Sequence, residues 1–210
     1  MRQEIVKITD HEDRMATLCV LLEKAFKKRT IVFFKTKEMC HRASIILGLK
    51  GKSCTELHGN LNQSQRIEAL EEFKNGSCEI LLASDLVSRG LDIKNVRYVI
   101  NFELPQQLQK YIHRVGRTAR AGESGVCLTI CDSFDLAKLK GIIKSTKEKL
   151  FVRPLSLELL KEANSEILEM DESIKNVYKM EYLERELAMA EREAEKAKNM
   201  LKYSDSIYAR

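Results

Sequence analysis

The sequence is poor in residues that interrupt regular structure: it has two prolines and nine glycines in 210 residues, and no tryptophan. With 44% hydrophobic and 32% charged residues it can bury a core, which excludes a disordered or fibrous chain. No run approaches the ~18 apolar residues of a membrane span. The first fourteen residues carry seven charged side chains and no apolar segment, so no secretory signal is expected. Cys19, Cys40, Cys54, Cys78, Cys127 and Cys131 fall in no CxxC spacing, so a zinc knuckle and a dithiol redox pair are excluded and the six are read as reduced core thiols. A phosphate-binding GxxxxGK[ST] loop is missing too. Gly51-Lys52-Ser53 mimics its end, but Ile46 stands where its first glycine belongs, and a helix precedes the tripeptide where a strand should. The expectation is a soluble intracellular protein without a membrane partner.

What is present divides by charge. Residues 1–150 hold 26 Lys and Arg against 18 Asp and Glu, a surplus of +8, whereas residues 151–210 hold 10 against 13, or −3. A basic globular part suits a phosphate-rich partner, and equally a surface charged for solubility. Within it, short β-rich runs alternate with helical patterns, the signature of a parallel sheet covered by helices on both faces. Strands are expected at Ile31–Phe34, Ser53–Leu57, Glu79–Ala83, Arg97–Phe102 and Val126–Cys131, and helices near 12–27, 37–49, 62–75, 106–117 and 133–147. Asn62 and Asp132 or Ser133 are suited to cap the third and fifth helices. The fold class is therefore α/β, with residues 1–150 as one domain and 151–210 as a charged helical extension.

Past Pro154 neither glycine nor proline occurs, and Glu, Lys, Ala and Leu dominate. Met180, Leu183, Leu187, Ala190, Ala194, Ala197 and Leu201 recur at alternating spacings of three and four, a heptad seam of a coiled-coil kind. Such a helix either lies on its own domain, spans solvent, or docks a partner protein.

The most informative segment is Tyr111-Ile-His-Arg-Val-Gly-Arg-Thr-Ala-Arg-Ala-Gly122. Arg114, Arg117 and Arg120 recur every third residue beside His113, and Gly116 and Gly122 interrupt the helix. Guanidinium groups at such a helix end are expected to reach outward and fork onto phosphate oxygens; complementing the helix dipole is the plainer use of a single arginine there. The run from Ala83 to Asp92 follows a buried strand, so it sits at the carboxyl end of a parallel sheet, where ligands bind; Gly90 permits close backbone approach and Asp92 can accept from a ribose hydroxyl. Ile80–Asp85 mimics a strand ending in a magnesium aspartate, but with no P-loop Asp85 is read as part of this loop. In Leu57–Arg66 a strand end leads into a helix whose free N–H groups favour an anion, and Gln63 and Arg66 share one face of it.

Together these segments resemble the C-terminal RecA-like domain of DEAD-box RNA helicases across nearly all of residues 1–150. Ile31–Lys37 is similar to the family's motif IV, Gln63 with Arg66 to QxxR, Ser84–Asp92 to motif V, and His113–Arg120 to the HRxGRxxR of motif VI. Ser84 departs from the more usual threonine but keeps the hydroxyl. Leu47-Gly-Leu-Lys-Gly51, Glu56-Leu-His-Gly-Asn-Leu61 and the charged tail resemble the nucleolar subfamily that helps assemble the large ribosomal subunit.

The resemblance implies a RecA-like fold and a division of labour. Arg117 and Arg120 would be arginine fingers on the γ-phosphate, with His113 among the catalytic residues. Gly90 and Asp92 would touch the nucleotide, and Thr36, Gly59, Gln63, Arg66 and Ser84 would line the RNA backbone. Arg89, Arg114 and His113 would couple the two sites. It also implies ATP with Mg2+, held mainly by an N-terminal RecA-like domain of the same protein, pre-ribosomal RNA as partner and a nuclear, nucleolar location; no residue here is expected to ligate metal. A non-catalytic RNA-binding or scaffold module, acting through the basic surface and the tail helix, is the competing reading.

Overall fold

The computed structural model describes residues 1–10, 13–85, 93, 96–119, 124–146 and 149–207. Among them, seven strands form one sheet: β1 (Arg2–Lys7), β2 (Thr30–Phe34), β3 (Cys54–Leu57), β4 (Ile80–Ser84), β5 (Tyr98–Asn101), β6 (Val126–Cys131) and β7 (Leu150–Val152). Their order is β3-β4-β2-β5-β6-β1-β7, with every pairing parallel. The helices are α1 (Asp13–Lys24), α2 (Lys37–Leu49), α3 (Gln63–Asn75), α4 (Leu108–Val115), α5 (Ser133–Thr146), α6 (Leu157–Glu169) and α7 (Asp171–Ile207). Helices cover both faces of the sheet, so β2 and β4 are buried along their whole length. Ile31, Phe33, Leu81, Ala83 and Val99 form the centre of one core cluster with Phe73 of α3 and Tyr111 and Val115 of α4.

Local chemistry explains the boundaries. Asn62 closes a capping box on α3: its Oδ1 accepts from the Gln65 N–H at 2.9 Å, and Gln65 Oε1 accepts from the Asn62 N–H at 3.0 Å. Asp132 caps α5 through the Asp135 N–H at 2.7 Å. The six cysteines are free, five of them buried, and burial raises their thiols, Cys54 to about 11 and Cys127 to about 12. Among the described residues no helix is long and apolar enough to cross a membrane.

Two strands are additional to those expected from sequence. β1 reads as polar because it buries Gln3 and Glu4, yet both are satisfied: Gln3 Oε1 accepts from Tyr111 Oη at 2.8 Å, and Glu4 pairs with Arg153 at 2.6 Å and Arg2 at 2.8 Å. β7 has only three residues and lies next to Pro154. It pairs with β1, and α6 lays Ala163 against Ala16 and Val20 of α1. Lys50, at the end of α2, joins them by pairing with Glu23 at 3.1 Å and with Glu166. Burial works against the Lys50 charge, but the hydrogen bonds to Glu166 and Glu23 outweigh it and raise its pKa. The compact unit thus runs Met1–Met170, and Asp171–Arg210 forms a second unit consisting of α7 and the residues after it.

The capping box gives a direct check. Asn62→Ala removes an N-cap acceptor and should lower unfolding free energy by about 1 kcal/mol in urea titration; an unchanged midpoint would mean that the box contributes nothing.

Candidate nucleotide and RNA interface

Parallel pairing brings the carboxyl ends of four strands level. Phe34 is in register with Ser84 and Leu57 with Ala83, while Phe33 faces Asn101. The loops that follow, at Thr36, Gly59, Ser84–Asp85 and Glu103, therefore crowd one edge of the sheet, the place where α/β folds bind ligands.

Arg114 is the anchor of that edge. It belongs to the last turn of α4, but its side chain turns into the protein and is almost completely buried. Its Nε donates to Asp85 Oδ1 at 2.7 Å and its Nη2 lies 2.6 Å from the same oxygen. Nη1 donates to Asn101 Oδ1 at 3.0 Å and to the Glu103 carbonyl at 2.9 Å, while the guanidinium carbon stands 5.3 Å over the Phe33 ring. One side chain thus ties the ends of β4, β2 and β5. Burial lowers its pKa and the Asp85 charge opposes that, then Glu103; as a guanidinium it stays charged. This corrects the expectation that all three arginines reach outward: Arg114 holds the platform from beneath.

Arg117 stands beyond the anchor. α4 ends at Val115, and Gly116 has an ordinary φ of −67°. A Cβ there would come to 3.1 Å of the Ile112 carbonyl oxygen, a tight contact that glycine avoids. The chain then turns, with the Arg117 N–H donating to the Arg114 carbonyl at 3.1 Å. Thr118 fixes the turn by donating to the carbonyls of Val96 and Arg97, both at 2.9 Å, and Ala119 takes a left-handed φ of 56°. Gly125 closes on this turn so tightly that a Cβ would lie 2.1 Å from Thr118 Oγ1. Arg117 is half-buried and His113 exposed. Arg89, Gly90, Asp92 and Arg120 lie outside the described residues.

The residues assigned to RNA lie along the same edge with different exposure. Thr36 is exposed and caps α2, accepting from the Met39 N–H at 3.2 Å. Gly59 and Gln63 are exposed, and Lys37 joins their loop to α2 by donating to Asn60 Oδ1 at 3.0 Å. Arg66 is half-buried, and its Nε has no hydrogen-bond partner among the described residues. Ser84 is buried, and its Oγ likewise lacks a partner among the described residues. The capping box takes up the Gln65 N–H, so fewer free N–H groups remain at the start of α3 than its sequence suggests.

Two features escaped sequence reasoning. Arg14 of α1, 2% exposed, donates to the carbonyls of Phe102 and Ile130, both at 2.8 Å, and pairs with Asp135 at 3.0 Å and Asp132 at 3.3 Å, so it ties β5, β6 and α5 as Arg114 ties their neighbours. Its signal was an arginine on the apolar stripe that holds Leu18 and Leu21. Glu56 sits between His41 Nδ1 at 3.0 Å and His58 Nε2 at 3.2 Å, three residues before Gly59. Burial raises the Glu56 pKa, but His41, then Ser44 and His58, outweigh it and hold the carboxyl below its usual range.

Comparisons with known proteins agree with this geometry. Residues 13–122 match the family described as Helicase conserved C-terminal domain. The chain is 42% identical over 215 residues to the ATP-dependent RNA helicase DRS1 of Pyricularia oryzae, covering all of this chain and 27% of that protein. It spans about a quarter of the length of the curated relatives it matches. Among solved structures, the E. coli DEAD-box protein SrmB, bound to regulator of ribonuclease activity A, is 32% identical with a TM-score of 0.69, over 76% of this chain and 93% of that one. S. cerevisiae Dbp5 bound to RNA and ADP BeF3 is 25% identical with a TM-score of 0.69, over 84% of this chain and 45% of that one. Fold and site define a helicase C-terminal domain of RecA-like architecture. Within that class, the chain belongs to the DEAD-box family.

Arg114→Ala should cost about 3–5 kcal/mol in urea unfolding, because it removes a buried guanidinium from the half-buried Asp85 and from the acceptors Asn101 and Glu103 at once, and Arg114→Lys should restore little since it lacks the planar fork. A loss under about 1 kcal/mol would contradict the anchor role. For Glu56, a carboxyl with a depressed folded pKa adds stability above its unfolded pKa and loses it as pH falls. The advantage of the native chain over Glu56→Gln should therefore shrink between about pH 5 and pH 3, followed by urea titration at each pH; parallel curves would remove the coupling.

Proposed function

We propose that this chain is the second RecA-like half of an ATP-dependent RNA helicase, binding the RNA backbone and contributing arginine fingers to ATP hydrolysis. The observation that carries the reading is the crowding of Thr36, Gly59 and Ser84 at one sheet edge, with Arg114 tying Asp85 after β4 to the last turn of α4, the helix that leads into the turn carrying Arg117. Thr36, Gly59, Gln63, Arg66 and Ser84 line the RNA backbone. Gly90 and Asp92 meet the nucleotide. Arg117 and Arg120, with His113 beside them, neutralise charge on the phosphates, while Arg114 and Arg89 couple the two sites.

ATP with Mg2+ supplies the phosphoryl group whose transfer provides the free energy of remodelling. The donor set suits part of that ligand: arginines match phosphate oxygens, whereas among the described residues no group of three His, Cys, Asp or Glu can hold a metal. On the family resemblance, the magnesium and the P-loop are assigned to an N-terminal RecA-like domain. Support for RNA and nucleotide as ligands comes from the DRS1 relative, named an ATP-dependent RNA helicase, and from Dbp5, which was solved with both. Resemblance at Leu47–Gly51 and Glu56–Leu61 supports pre-ribosomal RNA as substrate, large-subunit assembly as the process and the nucleolus as the place. Residues 1–150 carry this activity, and the later helices serve as an extension with a protein partner for the tail.

Backbone contacts carry no base information and release counterions. The chain should bind single-stranded RNAs of different sequence with similar affinity, measured by fluorescence anisotropy across a salt series. Arg66→Ala should weaken all of them alike and flatten the slope of log K against log salt by about 0.7. Selective loss of one sequence would indicate base readout and favour the scaffold reading.

A further inference from the structure

The sheet edge accounts for the motif residues but not for α7. This helix spans 37 residues, about 55 Å at 1.5 Å per residue. Its seam residues Met180, Leu183 and Leu187 are 58%, 50% and 61% exposed, and Ala190, Ala194 and Ala197 continue the same stripe, also exposed. Large apolar side chains repeating at three and four residues along an exposed face are suited to a second helix.

The charges beside the stripe say what kind of helix. In heptad terms Met180, Leu187 and Ala194 occupy a, and Leu183, Ala190 and Ala197 occupy d. The flanking e and g positions around Leu187–Ala194 are then Glu184, Glu186, Glu191 and Glu193, all acidic. No Lys or Arg lies four residues before or after any of these four; Lys196, three residues after Glu193, is the one basic residue at neighbouring helical spacing, and Lys179 and Lys198 stand on the borders beyond this stretch. The arginines of this stretch, Arg185 and Arg192, stand on the opposite face, where Arg185 pairs with Glu181 at 3.6 Å. Around Leu187–Ala194 the helix thus segregates its charge, and of the four border glutamates only Glu193 has a basic neighbour within the helix at i,i+3 or i,i+4 spacing.

A second copy is a poor occupant. In a parallel pair Glu186 of one chain meets Glu191 of the other, and three of the six layers set alanine against alanine. An antiparallel pair brings Glu186 against Glu193 and Glu184 against Glu191. The alanines instead leave room for bulky side chains, and the four glutamates call for cations. We infer that α7 docks an amphipathic helix of another protein, one with large aliphatic residues in its stripe and Lys or Arg along both borders. No motif residue enters this inference, so it stands apart from the helicase reading.

The test uses the full chain and a three-heptad probe peptide with Ile at a, Leu at d and Lys at every e and g position. Isothermal titration should give saturable one-to-one binding that weakens with added salt, whereas the same peptide with Glu at e and g should not bind. Leu187→Asp should reduce affinity for the Lys probe about tenfold or more, with an unchanged circular dichroism spectrum. The double variant E186K/E191K should shift preference towards the Glu probe. Failure of the Lys probe to bind, equal binding of both probes, or sedimentation of the chain alone as a dimer would each overturn the inference.

Discussion

A guanidinium buried at the carboxyl edge of a parallel sheet constrains everything near it. Arg114 needs several acceptors at once, and only the ends of β4 and β5 with the loops after them provide these, through Asp85, Asn101 and Glu103. Once it is satisfied, Asp85 after β4, Glu103 after β5 and the end of α4 are tied together. The same Glu103 accepts the Lys35 N–H at 2.8 Å, which adds the loop after β2 to the group. Arg14 repeats the device one strand further along, where β5, β6 and α5 meet. The edge that faces ligands is thereby stiffened by two buried cations.

Under the proposed function, that arrangement gives a physical route between the RNA-facing and nucleotide-facing residues. Thr36 begins α2 just beyond Lys35, and Arg117 follows Arg114 by one turn of chain. A displacement of the backbone at Lys35–Thr36 reaches Glu103, then Arg114, then the turn that carries Arg117. Each step is a hydrogen bond or a covalent neighbour, so the route does not depend on general softness of the domain.

Much of the fold was legible in the sequence, because buried parallel strands are dense in β-branched and aromatic residues and α2, α3 and α5 start with side-chain caps. The five expected strands and helices α1 to α5 lie within three residues of their expected limits. β1 was hidden because its buried polar residues depend on Tyr111 and Arg153, partners more than a hundred residues away. The motif residues were legible as a set, yet their orientation was not. The spacing of Arg114 and Arg117 looks alike in sequence, and only the position of Asp85 and Asn101 turns the first inward. Exposure is likewise a tertiary property, which is why Ser84 proves buried while Gln63 does not.

The central claim is that this edge completes a catalytic site whose other half lies on a separate RecA-like domain. It is tested most directly by mixing the chain with a separately produced N-terminal RecA-like domain of a DRS1-type helicase and following phosphate release from ATP with RNA present. The account predicts turnover only when both pieces and RNA are combined, and loss of most of it with Arg117→Ala, since an arginine finger is worth on the order of 10³–10⁵ in rate. Equal turnover by the N-terminal domain alone, or by the mixture carrying Arg117→Ala, would contradict it.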